Sequence, residues 1–131
     1  MVAVGRLRAP FHDDVAHYEK LLSRYARLDL VEVAEGAQAT RRVPSRAFTS
    51  LLHVEGECMD SLRFSRFLEE RRQSGRDLCF LLGGPFGLEL EGVEHRLSLG
   101  PLTLPHQLAR VVLLEQLYRA HKILAGEPYH Y

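Results

Sequence analysis

Two glycine-rich turns hold the residues best suited to ligand binding in this sequence. Gly83-Gly84-Pro85-Phe86-Gly87 follows the apolar run Leu78–Leu82, and Gly100-Pro101-Leu102-Thr103-Leu104 follows another predicted strand. Open α/β sheets bind ligands outside the carboxyl ends of their strands, and glycine lets a ligand approach the main chain closely. The spacing fits neither GxGxxG nor GxxxxGK[ST], so both common nucleotide motifs are excluded. The first turn is either part of a ligand site or an ordinary tight turn at a strand end.

The other reactive residue types form no recognisable site. Cys58 and Cys79 belong to no CxxC pattern, and the seven histidines do not have zinc-ligand spacing. We therefore expect neither a disulfide framework nor a metal. The 17 basic and 17 acidic residues give zero formal charge, which argues against holding nucleic acid by a strong overall field. A local basic patch is compatible with that balance, because seven arginines lie in the N-terminal third: Arg6, Arg8, Arg24, Arg27, Arg41, Arg42 and Arg46.

Length and composition predict one folded domain, residues 1–131. The chain is 46% hydrophobic and 26% charged, so disordered and fibrous classes are excluded. No apolar run has the length of a membrane span, and Met1-Val2-Ala3-Val4-Gly5 lacks the layout of a signal peptide. We expect a cytoplasmic protein that does not contact the membrane.

Short apolar runs alternate with helical periods along the chain. This alternation predicts an α/β fold with a mainly parallel sheet flanked by helices. The predicted strands are Val2–Val4, 28–33, 50–54, Leu78–Leu82 and 96–99. The predicted helices are 11–25, a helix from Asp60 or Ser61 to near Gly75, a short piece ending at His95, and His106–Ala125. Residues 35–48 show no apolar period and predict a surface loop with a basic edge.

The last predicted helix is apolar on two faces. Leu108, Val111, Val112 and Tyr118 line one face, and Leu113, Leu114, Leu117 and Leu124 line the other. A helix with two apolar faces needs two surfaces to pack against. We expect the sheet to be one of them and a second subunit to be the other.

Four motifs stand in the C-terminal half: Leu81-Leu82-Gly83-Gly84-Pro85-Phe86-Gly87-Leu88, Leu97-Ser98-Leu99-Gly100-Pro101-Leu102-Thr103-Leu104-Pro105-His106, Glu115-Gln116-Leu117-Tyr118-Arg119-Ala120 and Pro128-Tyr129-His130. In order and spacing they resemble the RlmH-type methyltransferases of the SPOUT superfamily. The N-terminal half resembles them more loosely. The resemblance implies a homodimer with a C-terminal trefoil knot that methylates N3 of a pseudouridine in 23S ribosomal RNA, on the assembled ribosome, with S-adenosylmethionine as the donor. Only the resemblance suggests the knot, since knots are nearly absent from proteins.

The resemblance also implies which residues hold the donor. The family's cofactor loops correspond to Leu52, Gly83 and the turn formed by Leu99, Gly100, Pro101, Leu102, Thr103 and Leu104. Backbone groups of such turns can read an adenine edge while leucines sandwich its ring. Each leucine is alternatively an ordinary core residue, and His106 is either a contact at this loop or an exposed residue.

Arg119, Tyr129 and His130 are the candidate catalytic residues implied by the resemblance. A sulfonium methyl is already activated, so the enzyme must chiefly align donor and nitrogen and assist loss of the N3 proton. Arg119 suits a phosphate or the developing imide anion, His130 can accept a proton, and Tyr129 can stack on a base. Arg119 alternatively pairs with Glu115 one helical turn earlier, and a tail so near the terminus is by default frayed.

Three positions depart from the family pattern. His53 stands where many relatives have an acid, Glu57 where they have a basic residue, and Tyr131 where an arginine is usual. The chain is also shorter, with residues 35–48 in place of a longer stretch that normally contains a helix. Two other functions are compatible with the sequence: a non-catalytic ribosome-binding dimer that keeps the cofactor pocket, and a methyltransferase of the same fold that acts on transfer RNA or protein.

Overall fold

A single parallel sheet forms the centre of the molecule. The computed structural model describes residues 1–84 and 87–131; Pro85 and Phe86 of the first glycine-rich turn lie outside the described residues. The strands are β1 (Val2–Val4), β2 (Val31–Val33), β3 (Phe48–Cys58), β4 (Leu78–Leu82) and β5 (His95–Ser98). Their order in the sheet is β2-β1-β4-β3-β5, and every neighbouring pair is parallel. The predicted α/β class is confirmed.

Among the described residues, four helices connect the strands or follow them: α1 (Phe11–Leu22), α2 (Gly36–Ala39), α3 (Ser61–Gln73) and α4 (His106–Ala125). The Asp60 carboxylate caps α3 by accepting the N–H of Arg63 at 2.7 Å. Gly126 ends α4 in the left-handed region, with φ of 69°. These local signals explain why the predicted start of α3 and the predicted end of α4 are confirmed; α4 also begins at His106 as predicted, directly after Pro105. Within the described part of the chain, no helix is long and apolar enough to cross a membrane.

Segment 35–48 was wrongly predicted to be a loop throughout. It contains α2 and a 3-10 turn at Thr40–Arg42. Glu35 and Gln38 form a capping box, in which the Gln38 side-chain oxygen accepts the Glu35 N–H at 3.1 Å. A helix of four residues is too short to show an apolar period, so only this cap signals it.

Other elements also differ from prediction: α1 ends at Leu22 and β2 begins at Val31, so each is three residues shorter than predicted. β3 continues to Cys58 instead of ending at 54, and its pairing with β5 shifts, because Leu52 and Glu57 both oppose Leu97. The helical piece predicted before His95 is wrong, since the described residues from 87 to 94 form no helix. Leu88, Leu90 and Val93 in that segment pack against the sheet instead.

The two faces of the sheet carry separate cores. In β4, Phe80 and Leu82 face the cluster that includes α1, α3 and α4, whereas Cys79 and Leu81 face α2. This alternation follows from the two-residue repeat of a strand. α4 packs against both α1 and α3. Leu108, Val111 and Val112 of one predicted apolar face stay half-buried within the single chain, and the expected second subunit remains a prediction.

Candidate active site

A cleft of about 700 Å³ opens at the carboxyl ends of β4 and β5, beside residues 52–54 in the middle of β3, and its volume is within the size range of small-molecule sites. We call it the first cleft. Of the eight predicted cofactor residues, seven line it: Leu52, Gly83, Leu99, Gly100, Leu102, Thr103 and Leu104. Pro101 belongs to the same turn but is not among the lining residues in the described part of the chain. His106 also lines this cleft, so it is not simply an exposed residue.

Main chain forms much of the wall of the first cleft. A Cβ at Gly83 would lie 2.5 Å from the carbonyl carbon of Gly87, so no side chain fits there. Gly100 has φ of 128°, a conformation that favours glycine. The Ser98 hydroxyl accepts the N–H of Gly100 at 3.1 Å and fixes the second turn. The glycines are therefore required by the shape of the cleft wall.

The rim of the first cleft combines exposed apolar residues with one polar pair. Leu102 is 78% exposed, although it is a large apolar residue. His53 Nε2 lies 2.5 Å from a Glu89 oxygen, and His53 Nδ1 accepts the N–H of Glu55 at 3.1 Å. Since Nδ1 is an acceptor, the proton is on Nε2 and is donated to Glu89. This hydrogen bond is the main cause that lowers the pKa of Glu89.

A second cleft of about 500 Å³ lies beside the first one. Both clefts are bordered by Leu99 and Gly100. The start of α3 contributes Ser61 and Leu62, and His130 comes from the tail. The turn after β5 therefore has a cleft on each side.

Glu115 brings the three predicted catalytic residues together. Its Oε1 accepts hydrogen bonds from Arg119 Nε (3.0 Å) and Nη2 (2.7 Å) and from the Tyr129 hydroxyl (3.1 Å). Arg119 Nη1 lies 3.1 Å from His130 Nδ1, and its guanidinium carbon lies 4.8 Å from the Tyr129 ring centroid. We call these four residues the tail cluster. The ion pair between Arg119 and Glu115, predicted as the alternative role of Arg119, is present. The same two residues hold the tail in place through their contacts with His130 and Tyr129.

Burial raises the pKa of Tyr129 to about 12, and the negative charge of Glu115 adds to the effect. The hydroxyl therefore stays protonated at neutral pH and acts as a donor. The Tyr129 ring also packs edge-on against Tyr118, with centroids 4.8 Å apart. These contacts make the end of the chain an ordered part of the site.

The family model described as "Predicted SPOUT methyltransferase" matches residues 1–130. The chain belongs to the SPOUT methyltransferase family. This match confirms the family resemblance carried by the four motifs. It also confirms the prediction that the protein is an enzyme, because the family consists of methyltransferases.

Relatives similar to this SPOUT methyltransferase along its whole length are named ribosomal RNA large subunit methyltransferase H. The protein from Gluconacetobacter diazotrophicus is 44% identical, over 99% of this chain and 95% of its own. Those from Nitratidesulfovibrio vulgaris (strain DP4) and Carboxydothermus hydrogenoformans are 40% and 36% identical, each over at least 96% of its own length. The first alignment spans 150 positions, more than the 131 residues of this chain, so that relative carries residues that this SPOUT methyltransferase lacks.

Sequence reasoning missed the central position of Glu115 in this SPOUT methyltransferase. It treated Glu115 only as an alternative partner of Arg119. The network also reaches α3, because Gln116 Nε2 donates to Glu115 at 2.8 Å and the Ser61 hydroxyl donates to Gln116 at 2.8 Å. The four-residue spacing of Glu115 and Arg119 in the sequence could have indicated their pairing. No sequence pattern indicated the contact between Glu115 and Tyr129, which are 14 positions apart.

Proposed function

We propose that this SPOUT methyltransferase transfers a methyl group from S-adenosylmethionine to N3 of a pseudouridine in 23S ribosomal RNA. It acts in the cytoplasm, as a homodimer, on the assembled ribosome. The observation that carries the proposal is the gathering of seven predicted cofactor residues around one cleft. Family membership and the names of the relatives support the choice of ribosomal RNA as the substrate.

The first cleft suits the adenosyl part of the donor. Its volume fits a nucleoside-sized ligand, and the turns at Gly83 and Gly100 let a ligand approach the backbone. Leu52 and Leu102 offer apolar surface to a flat ring. The donor supplies an activated sulfonium methyl group, so the protein's task here is to bind and orient it.

The tail cluster suits the acceptor. Methyl transfer to N3 would break the methyl–sulfur bond and leave the donor as a neutral thioether, and the N3–H bond would break with release of its proton. The Arg119 guanidinium stabilises the negative charge that develops on the imide, and the protonated Tyr129 presents a ring on which a base can stack. His130 Nδ1 accepts a hydrogen bond from Arg119, so this contact would have to open before Nδ1 could take the N3 proton.

A homodimer and a C-terminal trefoil knot belong to the same proposal. The family resemblance implies both the homodimer and the knot. The position of α4 supports the knot: α4 follows the edge strand β5, yet its Gln107 hydrogen-bonds the turn after β1, on the far side of β3 and β4. In the dimer, the tail cluster of one copy completes the acceptor side of the site.

Calorimetry with S-adenosylmethionine tests the first cleft. We expect binding by the parent protein and roughly tenfold weaker binding by Leu102→Ala, which removes apolar contact area. Leu62→Ala is the matched control, because Leu62 is also an exposed leucine but lines the second cleft. No binding at millimolar donor contradicts the proposal and favours the non-catalytic dimer.

Mass spectrometry of ribosomal RNA tests the acceptor. We expect a strain without this gene to lose one methyl group on a pseudouridine of 23S ribosomal RNA, and a plasmid copy to restore it. Transfer in vitro to intact ribosomes, but not to isolated subunits or free RNA, supports action on the assembled particle. Unchanged ribosomal RNA together with a lost methyl on transfer RNA or protein would contradict the assignment of the substrate.

A further inference from the structure

The sheet separates the seven arginines of the N-terminal third into two groups. All strands are parallel, so their carboxyl ends share one edge of the sheet, where the first cleft lies. Arg6 and Arg8 follow β1 and lie at this edge. The other five precede β2 or β3 and lie at the opposite edge: Arg24, Arg27, Arg41, Arg42 and Arg46. Arg27 and Arg42 there line a cavity together with Met1 and Leu78.

The turn that carries Arg6 and Arg8 is held by buried polar groups of α4. Gln107, only 7% exposed, donates to the carbonyl of Arg6 at 3.0 Å and accepts the N–H of Arg8 at 2.8 Å. Arg110, 4% exposed, donates to the carbonyl of Gly5 at 3.3 Å. Burying polar side chains is costly unless they are bonded. Here they fix the backbone of one surface turn, which lowers the ordering cost of binding through its side chains.

The side chains of Arg6 and Arg8 are exposed and their charges are not neutralised by close pairing. Within the described residues, no ion pair includes either of them, whereas Glu32 is already paired with Arg110 at 3.0 Å. Arg8 lies close enough to the first cleft to act on it: the pKa of His106, which lines the cleft, is lowered by burial and by the positive charges of Arg110 and Arg8. The exposed Arg6 and Arg8 side chains therefore place positive charge at the sheet edge beside the first cleft.

We propose that Arg6 and Arg8 bind the phosphate backbone of the RNA substrate and that the five arginines at the opposite edge do not. This inference rests on the proposed function, which places the RNA at this edge. Guanidinium groups match phosphate geometry, and phosphate contacts set the register of a nucleic acid without reading its sequence. Asp13 and Asp14 lie in the first turn of α1 at the same edge, and their negative charges weaken the positive field of the two arginines. We therefore expect a local contact between Arg6, Arg8 and about two phosphates.

Two double variants test this assignment. Arg6→Gln/Arg8→Gln removes two charges at the cleft edge, and Arg41→Gln/Arg42→Gln removes two at the opposite edge. Binding to intact ribosomes and to free 23S ribosomal RNA is measured over a range of salt concentrations. For the first variant we expect roughly tenfold weaker binding at low salt, and a slope of log affinity against log salt that is shallower by about 1.5. The control should stay within about twofold of the parent.

Calorimetry with S-adenosylmethionine confirms that both variants keep the fold and the first cleft. Equal losses in the two variants, or no loss in either, would overturn the inference. Weaker ribosome binding with an unchanged salt slope would also overturn it, because such a result indicates contact with a ribosomal protein. If the parent binds no donor and transfers no methyl group, the proposed function fails, whereas the binding measurement still tests Arg6 and Arg8.

Discussion

The first cleft and the tail cluster consist of different kinds of chemical group. They are close in space, because Leu99 and Gly100 border both the first cleft and the second cleft, which His130 of the tail cluster also lines. Glycine turns and leucines form the first cleft, whereas a carboxylate, a guanidinium, a phenol and an imidazole form the tail cluster. Under the proposed function, shape and main chain suffice to hold the donor, because it already carries an activated methyl group. Loss of a proton from a weakly acidic nitrogen requires charged side chains at fixed distances. The two regions should therefore respond differently to substitution.

The largest effect is expected for Arg119→Gln. This change removes the positive charge of the tail cluster, and we expect the rate of methyl transfer to ribosomes to fall by about a hundredfold. The affinity for S-adenosylmethionine should stay unchanged. Single-turnover assays with labelled donor, combined with calorimetry, measure the two quantities. Arg72→Gln is the control, because Arg72 on α3 also pairs with a glutamate of its own helix, Glu69. Weakened donor binding by Arg119→Gln would show that the two regions are not separate.

Glu115→Gln should lower the transfer rate by about tenfold, because Glu115 positions Arg119 and Tyr129 and a neutral amide holds the guanidinium less firmly. The pKa of Tyr129 should fall from about 12 towards its ordinary value, since the negative charge that favours the protonated phenol is gone. Ultraviolet titration checks this, with Tyr129→Phe identifying the signal. A changed rate with an unchanged pKa would mean that Glu115 acts through the fold alone.

The same pKa predicts how stability depends on alkaline pH. The folded pKa of Tyr129 lies above the unfolded value of about 10. Its contribution to the free energy of unfolding is therefore complete below pH 10 and is lost as the pH rises from 10 to 12. Urea unfolding across this range should show a steeper loss for the parent than for Tyr129→Phe.

The first cleft was more accessible to sequence reasoning than the tail cluster. Turns that follow buried parallel strands must lie at one edge of a sheet, so the glycines at 83 and 100 could be placed together from the pattern alone. The roles of Arg119 and His130 came only from the family resemblance. No local pattern indicates that the tail folds back to place Tyr129 against Glu115. The His53–Glu89 pair was equally hidden, because it joins β3 to a segment that was predicted to be helical.

Leu99→Ala should have an intermediate effect on both regions. Leu99 borders both clefts, and removing its side chain takes apolar contact from each side. We expect a several-fold rise in the Kd for the donor and a similar rise in the KM for ribosomes. Leu102→Ala, which alters only the first cleft, should raise the Kd alone. A Leu99→Ala variant that changes only one of the two constants would argue that the clefts do not function side by side.

Glu89→Gln should have the smallest effect, about twofold or less on the Kd for the donor. The Glu89 side chain is 71% exposed, so water screens its charge and exposed pairs contribute little. The amide oxygen can still accept the proton on His53 Nε2, so the contact survives without the charge. The same chemical replacement at Glu115 removes the charge shared by Arg119 and Tyr129, and its effect should be several times larger. If calorimetry showed Glu89→Gln to weaken donor binding as much as Leu102→Ala, the first cleft would depend on charge as the tail cluster does, and the distinction between the two regions would be lost.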